Sequence, residues 1–216
     1  IIVLNVYNER LLRLLAETQI PKVFLDTSSL VAPDELNGDL LLMESRTSVR
    51  RITSHLLEQG RTLPGFIGDI SYAQSNRERY EGFCQALADA GKKVDSSLCL
   101  TTPLGIDTYR EEIDTFLSSL SRMPDAFVCA SDYVACILMQ LLEKRGLRVP
   151  EDVAVSGFDN NTEDLLAEHL TTVQVFNEEL GARLALQILY RIKYPNTPHE
   201  ITYLGTNVLY RDSTGD

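Results

Sequence analysis

Short apolar runs alternate along this chain with longer stretches in which apolar residues recur every third or fourth position. A short run bounded by turn residues predicts a buried strand, and the 3.6-residue recurrence predicts an amphipathic helix. The pattern is sharpest from Pro124 to Asn160, PDAFVCASDYVACILMQLLEKRGLRVPEDVAVSGFDN. Ala126 to Ala130 reads as a strand. Ser131 or Asp132 can cap a following helix by accepting a backbone N–H. Val134, Ile137, Leu138, Leu141 and Leu142 share one face of that helix, and Gly146 can end it in the left-handed conformation. Val153 to Phe158 is a second strand. Strand, helix and strand predict a parallel βαβ unit with a right-handed crossover. Ligands bind outside the carboxyl ends of such strands, here at Ser131-Asp132 and at Phe158-Asp159.

The same reading applies to the rest of the chain. Strands are expected at Ile1–Asn5, Lys22–Asp26, Asp39–Met43, Gly65–Asp69, Ser96–Leu100 and Thr171–Val175. Between them, Asn8 can cap a helix carrying Leu11, Leu12, Leu14 and Leu15, and a second helix carries Val49, Ile52 and Leu56 up to Gly60. Ser75 to Glu78 and Thr108 to Glu111 have the S/T-x-x-E form of a capping box, each opening a helix. Asn160 and Glu163 can cap a short helix, and Asn177 opens a long one with Leu180, Leu184, Ala185 and Ile188. Strands and helices alternating throughout predict an α/β fold with parallel sheets flanked by helices.

Composition narrows what such a fold can do. With 216 residues and 44% hydrophobic content, the chain can form one large domain or two lobes with real cores. Mean hydropathy is -0.08. No stretch approaches the roughly 20 apolar residues of a membrane-spanning helix. The start lacks the basic and small-residue features of a signal peptide, and it begins inside an apolar strand, so a fragment of a longer chain is expected. The net charge is -11. DNA binding needs Lys and Arg to displace counterions, so these residues alone should repel a duplex. Cys84, Cys99, Cys129 and Cys136 have no CxxC spacing and read as buried thiols in a reducing compartment. His55, His169 and His199 are scattered, and no metal or cofactor is expected. No nucleophile elbow, P-loop or dinucleotide fingerprint occurs, so no catalytic residue is expected.

The phrases PDAFVCASD, RGLRVPEDVAVSGFDN, LTTVQVFNEELGARLALQIL and VLYRDST, in this order, resemble the effector-binding module of LacI/GalR-type transcription regulators. The resemblance implies a two-lobed, periplasmic-binding-protein-like (type I) fold whose first lobe is incomplete. It implies a division of 1–62 plus 173–198 for the first lobe and 63–172 plus 199–216 for the second. It further implies a homodimer with contacts on the Asp132–Arg145 helix, a cytoplasmic location, and operator DNA bound only through a helix-turn-helix domain absent here. The effector would be a small molecule, a sugar by this resemblance. The phrase RYEGF matches the family's R-x-x-G-[FW], implying an effector contact for Arg79. GFDN implies one for Asp159, and Asp26, Ser75, Ser131 and Phe158 are further candidates. An arginine fork can grip two adjacent hydroxyls, and a carboxylate accepts from them. Tyr72 and Phe158 could supply aromatic walls. The family's ring before the Thr108 helix is missing from Thr102–Gly105, and Tyr109 aligns with a packing position. A sugar-binding transport receptor shares this fold and chemistry; the free cysteines and the quoted phrases favour the regulator.

Overall fold

The computed structural model describes residues 1–105, 107–160 and 168–216. The short helix expected after Asn160 lies outside the described residues. Two four-stranded sheets, each wholly parallel, organise the chain. The first has β1 (Ile2–Leu4), β2 (Val23–Leu25), β3 (Asp39–Met43) and β9 (Ile201–Leu204), in that order. The second runs β5 (Cys99–Leu100), β4 (Pro64–Ile67), β6 (Ala126–Cys129), β7 (Ala154–Ser156). A parallel sheet is buried on both faces, and helices cover each. In the first lobe α1 (Glu9–Glu17) packs Leu12 beside Val3, Phe24 and Leu40. On the opposite face, α6 (Asn177–Lys193) packs Leu180 and Leu184 onto Val23, Leu25 and Leu41.

The βαβ unit forms as its pattern predicts. β6 and β7 are parallel neighbours, and α5 (Asp132–Lys144) joins them. The Ser131 hydroxyl accepts from Val134 N at 3.3 Å and caps α5. Gly146 ends it with φ 73°. Val134, Ile137, Leu138, Leu141 and Leu142 are all buried. Each contributes about 1.5–3 kcal/mol by leaving water, which ties α5 firmly to the sheet.

The division between lobes differs from the expected one in three places. α2 (Arg46–Glu58) follows the first sheet in sequence, but Val49, Ile52 and Leu56 join the second core with Phe66, Phe83 and Leu87. It lies tightly against α3 (Gln74–Asp89): a Cβ on Gly82 would stand 2.2 Å from the Arg46 carbonyl oxygen. β8 (Thr172–Gln174) stays with the second lobe, bridged to β7 through Ser156–Thr171 and paired antiparallel with β10 (Asn207–Leu209). β9, expected in the second lobe, pairs with β3 in the first. The physical reason is that α2, β8 and β9 each lie beside a lobe crossing. Periodicity fixes which face of such an element is buried, but not against which sheet.

Both expected capping boxes are also absent. The N-cap of α3 is Ala73, and the Ser75 hydroxyl points elsewhere. At α4 (Tyr109–Ser119) the carboxylate at the helix start belongs to Glu112, which accepts from the Thr108 hydroxyl and from Gly105 N at 3.1 Å.

Candidate functional site

The strands of both sheets end on one cleft of about 370 Å³. From the first lobe come Asn5 and Tyr7 after β1, Asp26 after β2 and Met43 at the end of β3. The second lobe contributes Tyr72, Ser75, Asn76 and Arg79 from α3 and its approach, Tyr109, Ser131 after β6, and Asp159 after β7. Three of these residues have positive φ without being glycine: Asn5 at 50°, Asp26 at 57° and Asp159 at 109°. Such backbone costs about 1–3 kcal/mol per residue and concentrates at functional sites. Here it turns each chain sharply off its strand and aims the side chain into the cleft.

Asp26 is buried and holds the two lobes together. Its carboxylate accepts from Thr27 N (2.8 Å), from the Tyr7 hydroxyl (3.2 Å), and, across the cleft, from the Ser75 hydroxyl (2.6 Å) and Ser75 N (3.4 Å). Gln74 N donates to Thr27 O at 2.8 Å. The first N–H groups of α3 are orphans by helix geometry, and α3 has no cap of its own. The end of β2 in the other lobe caps it instead, with a carboxylate at the positive end of the helix dipole. Burial, and then the Asp26 charge, push the Tyr7 hydroxyl pKa far up, so Tyr7 stays a protonated donor.

Arg79 sits one turn further along α3, also buried. Its guanidinium stacks on the Phe158 ring, 3.7 Å from the centroid, and donates to Ala130 O. Asp159 lies 3.6 Å away, an ion-pair distance without a tight hydrogen bond. The Arg79 Nε, buried, has no hydrogen-bond partner among the described residues. About 42% of the Asp159 side chain remains open to the cleft. Protein nonetheless surrounds it closely enough that loss of water raises its pKa more than Arg79 lowers it. A group in this position can accept hydrogen bonds from an arriving hydroxyl, and Arg79 has capacity left to donate.

A family model described as periplasmic binding protein-like domain matches residues 53–214. The chain belongs to this periplasmic binding protein-like family. Within it, the chain is an effector-binding domain of the LacI/GalR type. It is 29% identical over 209 residues to the HTH-type transcriptional repressor PurR of Aliivibrio fischeri, covering 95% of this chain and 61% of that protein. To the HTH-type transcriptional regulator DegA of Bacillus subtilis it is 31% identical over 170 residues, 78% of this chain and 48% of that protein. The chain thus spans between about half and three fifths of these relatives' length. Among solved structures, a complex of the transcriptional regulator CelR with cellobiose superposes with a TM-score of 0.85 at 27% identity, covering 98% of this chain and 64% of that one. These relatives are transcriptional regulators.

Of the six residues singled out in sequence, the structure brings Arg79, Asp159, Asp26, Ser75 and Ser131 to the wall of this periplasmic binding protein-like cleft. Phe158 is corrected: it is fully buried and reaches the cleft only as the platform beneath Arg79. Tyr109 packs against the second-lobe core, as expected, and also lines the cleft, edge-on to Tyr133 with centroids 5.8 Å apart. Tyr7 packs at 4.3 Å against Tyr72, which is exposed. Sequence reasoning missed Asn5, Tyr7, Asn76 and Asn177. Asn5 and Tyr7 had a usable signal, since both follow a strand's carboxyl end. Asn76 and Asn177 had none, because polar residues in the first turn of a helix are ordinary.

Proposed function

We propose that the chain is the effector-sensing domain of a DNA-binding transcriptional repressor, and that its effector is a sugar held between the two lobes. The observation that carries this reading is the meeting of Arg79 and Asp159 with Asp26, Tyr7 and Asn5 from the opposite lobe. Adjacent hydroxyls of a sugar suit the Arg79 fork and the open Asp159 carboxylate. The Tyr72 and Tyr109 rings offer flat apolar surface for a sugar face. The repressor relatives and the cellobiose bound to CelR support the same reading. In the longer protein, a cytoplasmic homodimer would carry DNA-binding units whose operator affinity changes as the lobes close, a reciprocal coupling of about 1–3 kcal/mol.

A thermal-shift screen of the chain against neutral mono- and disaccharides tests this. A sugar at 100 times its dissociation constant adds about 2.7 kcal/mol of stability. The expected result is a saturable shift with at least one sugar, lost in Arg79→Ala. The reading would be falsified by a folded sample that no sugar stabilises.

A further inference from the structure

Two features of this cleft ordinarily attract anions. A helix N-terminus presents unpaired N–H groups at the positive end of its dipole, and a buried arginine grips phosphate or carboxylate. Both are present, and each already holds a carboxylate of the protein. Asp26 fills the N-terminus of α3, taking Ser75 N and the Ser75 hydroxyl, while Gln74 N is taken by Thr27 O. Asp159 stands 3.6 Å from Arg79. Among the described residues of the lining, Asp26, Asp159 and Arg79 are charged, one negative charge in excess. The two arrangements differ in one respect. Asp26 is buried and its oxygens are occupied by four donors. Asp159 is open to the cleft, and it makes the looser contact of the two.

We propose that Asp159 is a specificity-determining charge gate: it masks Arg79 so that the cleft admits uncharged polyols and rejects their phosphorylated or carboxylated forms. This rests on the reading of the cleft as the effector site, and it names which chemical form of a sugar is sensed. A neutral hydroxyl donates to Asp159 and accepts from Arg79 at once. A phosphate group can satisfy only the arginine and is repelled by the carboxylate in front of it. Asp26, fixed behind Ser75, adds repulsion from the other wall. An effector with a phosphate on one hydroxyl therefore loses affinity relative to the free polyol.

Inorganic phosphate tests the gate without knowledge of the effector. Its binding is followed by calorimetry for the wild-type chain, Asp159→Asn and Asp159→Gly. Asparagine keeps the shape of the side chain, and glycine suits the φ of 109°, so both are expected to fold. The expected result is weak or no phosphate binding to the wild type and a gain of at least about tenfold in both variants. Adding Arg79→Ala to Asp159→Asn abolishes that gain. Saturable phosphate binding to the wild type that Arg79→Ala removes would overturn the proposal. So would variants that fold, judged by an intact cooperative melt, and show no gain. The sugar screen fails or succeeds separately: an absent sugar shift with a phosphate gain in Asp159→Asn would sink the sugar reading and leave the gate standing.

Discussion

Arg191 meets Asp39 in the interior of the first lobe, and Arg79 meets Asp159 in the cleft. Asp39 and Arg191 are joined by two hydrogen bonds, of 2.5 and 3.0 Å. The remaining arginine donors reach Thr197 O, Thr197 Oγ1 and Pro198 O, and Asp39 also accepts from Gln187 Nε2 and Glu200 N. Burial pushes the Asp39 pKa up, but the hydrogen bonds from Arg191, Gln187 and Glu200 outweigh it and hold the carboxyl below its ordinary range. At Arg79 the partner is 3.6 Å away, one nitrogen has no hydrogen-bond partner among the described residues, and the carboxylate pKa is raised. The same two residue types therefore serve two purposes. Where the protein supplies every donor and acceptor, the pair fixes α6 to the first sheet. Where it leaves some unmet, the pair keeps hydrogen-bonding capacity that the proposed effector would use, at a cost in stability typical of functional sites.

The largest expected effect breaks the first pair. Arg191→Ala strands Asp39, buried and charged, and should cost about 3–5 kcal/mol. Urea unfolding measures it, and a loss below about 1 kcal/mol would contradict the role assigned to this pair. Arg79→Ala should instead weaken sugar binding about tenfold to a hundredfold, the worth of a charge-assisted hydrogen bond. Its stability loss should be smaller than that of Arg191→Ala, because Asp159 can be reached by water. Calorimetry and urea unfolding on the same sample separate the two quantities.

The smallest and most diagnostic effect lies in the pH dependence. The Asp39 pKa is depressed in the folded state, so its stabilisation is present above the unfolded value of about 3.9 and is lost as pH falls through the folded value. The Asp159 pKa is raised, so its ionisation costs stability as pH climbs from the unfolded value through the folded one, a window on the opposite side of the unfolded value from that of Asp39. Asp159→Asn should therefore raise the melting temperature at about pH 7, with the gain fading towards about pH 4. Asp39→Asn should lower it at about pH 7, with the loss shrinking in acid. Melts that shift in the same direction for both variants would erase the distinction drawn between the pairs.

Much of the fold was legible because burial follows periodicity. The apolar face of α5, its Ser131 cap and its Gly146 stop could be placed from residue types alone, as could the two parallel strands around it. The capping boxes could not, for a specific reason. Ser75 had a plausible local partner in Glu78, but its hydroxyl is drawn to Asp26, and Glu78 accepts from the Tyr203 hydroxyl of β9 at 2.7 Å. A cap supplied by a residue 49 positions away leaves no local trace. The cleft residues named through RYEGF and GFDN owed their assignment to resemblance. Residue chemistry alone reads Arg79 more readily as a solvated helix charge.

By itself, the sequence determined the α/β class, the parallel strands with helical crossovers, and the strand ends where a ligand could sit. Those properties depend on local periodicity and on steric rules that any chain obeys. Tertiary structure decided which sheet each crossing element joins, because α2, β8 and β9 have faces that fit either lobe. It also decided which arginine–aspartate pair is structural and which is open. Arg191 lies in the last turn of α6 and Arg79 near the start of α3, and neither position announces its partner in sequence. Only their neighbours in space, a full set of partners for one and a half-open carboxylate above a buried ring for the other, give them different chemistry.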